Sequence, residues 1–213
     1  HTEGIKEILK YHKNLNLYTH PLLFNYRFRE EKNKGRVYGG IPYTQSYLER
    51  KGARFIFNTK LTELEDWLYL SGEIDRSNSF EKSDLEDRFI EIEGQVGTDT
   101  IPEEQALFIG AEEGLIIITG CAHAGLINTI DHALKITGQD SIYCVIGGTH
   151  LAYAEQDQVE ETLERLEQYK IKRIITGHCT GINAAAKLKN RFAERFEFSW
   201  VGKEIRFSST KLF

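Results

Sequence analysis

Apolar positions recur at Ile5, Ile8 and Leu9, a helical spacing, and Thr2 just before them is a suitable cap, so a helix is predicted from the first residues onward. Leu15 to Thr19 alternates apolar and polar as a short strand does, and His20-Pro21 closes it. Residues 27–40 are charged and glycine-punctuated, which predicts an exposed loop or hairpin near a site mouth, and 44–51 reads as a short helix. Strand-like runs at 54–58, 67–71 and 88–92, separated by the polar stretch 73–87, predict antiparallel β-structure with a long loop. Beyond Pro102 the runs 106–109 and 115–119 meet through Glu112-Glu113-Gly114 as a hairpin.

A unit of a different kind then occurs three times. Leu115-Ile116-Ile117-Ile118-Thr119 runs into Gly120 and His123, Ile142-Tyr143-Cys144-Val145-Ile146 into Gly147-Gly148 and His150, and Arg173-Ile174-Ile175-Thr176 into Gly177 and His178. Helix-like segments follow each, at 126–136, 158–169 and 182–193, so the pattern is strand, loop, helix, and the fold class is α/β, with antiparallel strands added. Loops at the carboxyl ends of strands in such sheets line the ligand crevice, which predicts that the three histidines face one volume. Imidazole is the commonest metal ligand near neutral pH, and three of them suit a divalent ion, Zn²⁺ first, with Fe and Mn²⁺ as alternatives and one or two ions in all. His12 and His132 fall within helix-like segments and His20 precedes Pro21, so these three are assigned structural or solvated roles.

Cys121 and Cys179 flank the site histidines as possible soft ligands or reactive thiols, but no Lys or Arg beside them in sequence marks an activated thiolate, and the preferred reading is small buried residues. Gly120-Cys121-Ala122-His123-Ala124-Gly125 begins like a phosphate-binding loop, yet Leu126-Ile127 stands where Lys-Ser or Lys-Thr is needed. The helix starts after His123 and after Gly181 still offer backbone N–H groups to an anionic group.

With 213 residues, 40% hydrophobic and 28% charged, the chain is sized for one domain over 1–213. A net charge of −5 opposes binding to nucleic acid or to an anionic membrane, so the expected partner is a small molecule, anionic ones included. Three cysteines make no disulfide framework, and with no signal segment the expected location is the cytoplasm. A chain that opens at His1 and has no Met is expected to be part of a longer product: either residues are missing upstream, or methionines are missing from within it, which would shift the spacings slightly.

At Ile118-Thr119-Gly120-Cys121-Ala122-His123-Ala124-Gly125-Leu126-Ile127-Asn128, Gly147-Gly148-Thr149-His150-Leu151 and Thr176-Gly177-His178-Cys179-Thr180-Gly181 the sequence resembles the metallo-β-lactamase superfamily, in the branch of the dihydropterin–ribofuranosylaminobenzene phosphate synthases. His1-Thr2-Glu3-Gly4-Ile5 resembles the close of that superfamily's H-x-H-x-D-H motif. The resemblance implies an αββα four-layer sandwich whose first β-rich segment precedes residue 1, so that the chain is the C-terminal two-thirds or so. It implies metal ligands at His1, His123, His150 and His178: His123 for a first ion, His1 and His178 for a second. His150 stands where most relatives place a bridging carboxylate, and one imidazole cannot bridge two ions as a carboxylate does, so the expectation is that one ion binds more tightly than a second or that two are held without a protein bridge at position 150. The implied activity is hydrolysis of an ester, amide or phosphoester by metal-activated water, with a general base not identified among these residues. The alternatives are condensation of a dihydropterin with an aromatic ribosyl phosphate and a non-enzymatic metal- or ligand-binding protein.

Overall fold

The computed structural model describes residues 2–82 and 87–213. In chain order the elements are α1 (Ile5–Tyr11), β1 (Leu15–Thr19), β2 (Arg27–Glu31), β3 (Gly35–Tyr38), α2 (Gln45–Arg50), β4 (Ala53–Phe57), β5 (Thr62–Glu65) and β6 (Leu68–Leu70). They continue with β7 (Arg88–Ile92), β8 (Gln95–Thr98), β9 (Leu107–Ala111), β10 (Gly114–Thr119), α3 (Leu126–Thr137), β11 (Ile142–Gly147), α4 (Gln156–Gln168), β12 (Ile171–Thr176), α5 (Ile182–Phe192) and β13 (Phe196–Phe198). The described residues form two compact units, 2–59 with 87–103, and 60–82 with 104–213.

In the first unit Leu9, Ile41, Leu48 and Ala53 make a small core to which Leu15, Leu17 and Phe55 add. Strand β4 lies parallel to β1, not antiparallel as the sequence predicts, because the helix α2 carries the chain back over to the same end before β4 begins. The antiparallel strands β3, β2, β7 and β8 form a separate four-stranded sheet, so the hairpin expected over 27–40 is present. Thr2 is not the helix cap: the N-cap of α1 is Gly4, and Thr2 contributes only its carbonyl, which accepts from the Ile5 N–H. His20 does have a structural role, its Nδ1 accepting from the Leu22 N–H at 3.1 Å where Pro21 starts a short 3₁₀ turn.

Arg27 is the buried charge of this unit. Its Nε donates to Asp99 at 2.8 Å, its Nη2 to Glu103 at 2.7 Å and its Nη1 to the Leu22 carbonyl at 2.8 Å, so each arm of the guanidinium fork has an acceptor. Burial pushes the Glu103 carboxyl up, and the Arg27 charge opposes that rise.

The second unit is built on a seven-stranded sheet of order β13-β12-β11-β10-β9-β6-β5, in which β10, β11, β12 and β13 are parallel and the β9, β6, β5 side antiparallel. The strands β10 to β12 are rich in aliphatic residues, and helices cover one face of them: Leu115, Ile117, Val145 and Ile174 pack with Leu126, Ile127 and Ile130 of α3, Leu163 and Leu166 of α4, and Leu188 of α5. Each such side chain, fully withdrawn from water, contributes about 1.5–3 kcal/mol. Helix α3 ends where Gly138 adopts φ 66°, a left-handed cap that glycine takes without a β-carbon penalty. Cys144 faces an apolar cluster with Ile109, Ile116 and Ile175, and burial pushes its thiol up to about 12, which fits a packing role. No helix among the described residues is long and apolar enough to cross a membrane.

Replacing Arg27 by Ala is expected to destabilise the protein by about 3–5 kcal/mol, since the buried Asp99 and the half-buried Glu103 would be left without their counter-charge. Arg27→Lys should recover only part of that loss, because one ammonium cannot serve three acceptors in fork geometry. Urea midpoints at unchanged slope measure both.

Candidate metal centre

The three strand-end loops are held to one another by backbone hydrogen bonds that continue the parallel ladder past the ends of the strands. Gly148 N–H donates to the Gly120 carbonyl at 3.0 Å and Gly177 N–H to the Gly147 carbonyl at 3.0 Å. Thr119 Oγ1 donates to the Gly148 carbonyl at 2.7 Å, and the buried Thr149 and Thr180 hydroxyls meet at 3.0 Å. A β-carbon on Gly148 would lie 2.6 Å from both Cys179 Sγ and the Gly120 carbonyl oxygen, so no larger residue fits there without displacement. The glycines next to the histidines therefore keep three loops in contact as well as turning the chain.

Three residues in these loops take left-handed backbone angles: Ala122 (φ 59°), His150 (φ 55°) and His178 (φ 52°). A non-glycine residue pays about 1–2 kcal/mol for that conformation, and such positions concentrate at functional sites.

The loops bring site groups together. The His123 and His150 rings have centroids 4.3 Å apart at 51°, with His150 buried. The exposed His178 has Nε2 at 3.5 Å from Cys121 Sγ, and the donor atoms of Cys121, His178 and Cys179 all lie within 4.8 Å of one another. Cys179 Sγ is also 3.3 Å from the His150 N–H, and 3.4 Å from the Cys121 carbonyl. The proximity of the two thiols holds Cys179 below the ordinary thiol range, helped by His150, and with burial holds Cys121 above it. Nitrogen and sulfur donors at these separations fit a borderline or soft divalent ion. His1 lies outside the described residues. His132 is buried in α3, where its Nδ1 accepts from the Asp75 N–H at 3.4 Å, and His12 is the C-cap of α1, so both are structural.

Sequence reasoning did not find the groups that fix the His123 loop. Glu104 accepts from the His123 and Ala124 N–H groups, each at 2.6 Å, with one oxygen apiece. Arg76 Nη2 donates to the His123 carbonyl at 2.8 Å. Glu81 accepts from the Ile127 and Asn128 N–H groups at 2.8 Å, neutralising the positive end of α3, and from Asn78 Nδ2 at 2.8 Å. Burial pushes the Glu81 carboxyl up, and these donors pull against it. Asn128, wholly buried, receives the Ser77 N–H at 2.7 Å and the Asn78 N–H at 3.0 Å and donates to the Ala124 carbonyl at 2.8 Å. The only signal in the sequence is that Glu81 and Arg76 sit in a polar stretch, which reads equally well as a solvated loop. Tyr153 also went unnoticed; its ring is 4.8 Å from that of His150 and is 70% exposed.

Glu104→Ala leaves two loop N–H groups without their carboxylate, and the His123 ring then loses its fixed position. Metal affinity is expected to fall about 10- to 100-fold while the circular dichroism spectrum keeps its helical signal. Unchanged affinity would show that Glu104 does not position His123.

No protein-family model matches the chain. Among curated proteins it is 32% identical over 211 residues to the 7,8-dihydropterin-6-methyl-4-(β-D-ribofuranosyl)-aminobenzene-5′-phosphate synthase of Methanocaldococcus jannaschii, an alignment covering 97% of this chain and 71% of that protein. A second protein of the same archaeon, uncharacterized, is 32% identical over 90 residues, 42% of this chain and 33% of its own length. Among solved structures the fold matches Tm1679, a metal-dependent hydrolase of the β-lactamase superfamily, with a TM-score of 0.78, 23% identity, and coverage of 94% of this chain and 74% of that one. The mixed α/β architecture is thus metallo-β-lactamase-like in fold, and the extent of the likeness to the archaeal protein shows the family: the chain belongs to that of the dihydropterin–ribofuranosylaminobenzene phosphate synthases.

Proposed function

We propose that this chain is a metal-dependent enzyme that joins a dihydropterin carrying a leaving group on its 6-methylene carbon to the aromatic amine of a ribofuranosylaminobenzene phosphate, the carbon–nitrogen bond forming as the bond to the leaving group breaks and the amine gives up a proton. The observation that carries this reading is 32% identity over 97% of the chain to a synthase of that name. His123, His150 and His178 would hold the metal, Zn²⁺ or else Fe or Mn²⁺, and His1 would complete the set. When bound, the ion supplies Lewis acidity toward a substrate oxygen and lowers the pKa of a bound water. The chain's own residues do the rest: Glu104 and Arg76 orient His123, and the exposed Tyr153 ring beside His150 offers a face on which a flat heterocycle can stack.

Hydrolysis of an ester, amide or phosphoester is the second reading, supported by the likeness in fold to a metal-dependent hydrolase of the β-lactamase superfamily. The intact protein, supplied with a dihydropterin activated at its 6-methyl carbon and 4-(β-D-ribofuranosyl)aminobenzene 5′-phosphate, should form the coupled product, read by mass. Ester or phosphoester turnover without coupling would replace the first reading by the second. His178→Ala should lose bound metal and coupling, whereas His12→Ala, altered at a helix end, should keep both; elemental analysis of the two variants checks the ligand assignment.

A further inference from the structure

The two thiols at the site are unused in the reading above, and their placement differs from that of the third. Cys144 lies inside β11 against aliphatic side chains, and among the described residues it belongs to no cluster of metal-ligating groups. Cys121 and Cys179 come from two different strand-end loops, after β10 and after β12, yet their sulfurs and the His178 ring nitrogen are mutually within 4.8 Å, with Cys121 Sγ 3.5 Å from His178 Nε2. Tetrahedral zinc, with Zn–S about 2.3 Å and Zn–N about 2.0–2.1 Å, places its donor atoms roughly 3.5–3.8 Å apart. The cluster is within about 1 Å of that arrangement. Glycine at position 148 keeps the space around Cys179 Sγ clear of a β-carbon.

We propose that Cys121 and Cys179 are metal ligands, joining His178 in a two-sulfur, one-nitrogen donor set that holds one divalent ion in the reduced protein. The proposal rests on the reading above in taking His178 as a ligand. It adds a soft half to the centre beside the nitrogen half made by His123 and His150, whose rings are in contact. Sulfur donors select zinc, cobalt or ferrous iron over magnesium and manganese, which prefer oxygen. An ion bound there also ties the β10 loop to the β12 loop, reinforcing the backbone bonds between them.

The test is an anaerobic titration of the reduced, metal-stripped full-length protein with Co²⁺. Thiolate-to-cobalt charge-transfer absorption in the near ultraviolet should grow and saturate at one equivalent, with visible bands of a tetrahedral ion. Cys121→Ser and Cys179→Ser should each weaken that absorption, which the loss of an outer-shell group would leave in place, and lower affinity by at least about tenfold. Cys144→Ser should change neither. Cobalt bound with visible bands but no thiolate absorption, or full absorption in both site variants, would overturn the proposal and leave the histidine reading standing. No cobalt bound at all would overturn both. If the serine variants do not fold, X-ray absorption of the zinc-loaded wild type decides: sulfur scatterers near 2.3 Å support the proposal, and a shell of nitrogen and oxygen alone defeats it.

Discussion

The site depends on one backbone feature, the continuation of the parallel hydrogen-bond ladder from the ends of β10, β11 and β12 into the loops beyond. Parallel strands in register end at the same edge, but side chains on the following loops meet only if the loops themselves stay together. The bonds from Gly148 N–H to the Gly120 carbonyl and from Gly177 N–H to the Gly147 carbonyl provide this. Glycine is required at Gly148 because both the Gly120 carbonyl and Cys179 Sγ occupy the place of a β-carbon. The register then fixes which residues share the edge: His123, His150 and His178 with Cys121 and Cys179.

A loop held in left-handed angles at Ala122, His150 and His178 persists only where its surroundings over-determine it. For His123 the surroundings are ionic. Glu104 takes the amides, Arg76 the carbonyl, and Glu81 the start of α3, with Asn128 tying the 76–78 segment to the same helix. These are buried or half-buried charges used on backbone groups, and each donor and acceptor of the loop that they engage is one that water would otherwise have to satisfy. The stretch that reads as a polar connection is therefore part of the apparatus that aims a histidine.

Residue type alone did not distinguish the three cysteines, and the fold does. Cys144 is on a strand face that packs into an apolar cluster, where desolvation keeps the thiol protonated. Cys121 and Cys179 are also buried, yet they lie close to each other, to His178 and to the His150 amide, so their sulfurs face polar partners. Chemistry here follows from which loop ends meet, a property of sheet topology.

The sequence by itself determined the elements whose signal is local. Mainly apolar segments that run into glycine give buried parallel strands, and apolar positions at helical spacing give α3, α4 and α5, because burial of a repeating face is written in the order of residues along a few turns. The three histidines were legible for the same reason: each follows its strand directly, and equivalent strand ends share an edge. What only the tertiary structure decided involves partners distant in sequence. The parallel pairing of β1 with β4 depends on how α2 returns the chain, the Arg27 network joins positions more than seventy residues apart, and Glu104, Arg76 and Glu81 reach His123 and α3 from separate segments. A carboxylate in a polar stretch looks the same in sequence whether it faces water or a helix N-terminus, and only folding removes the water that makes the difference.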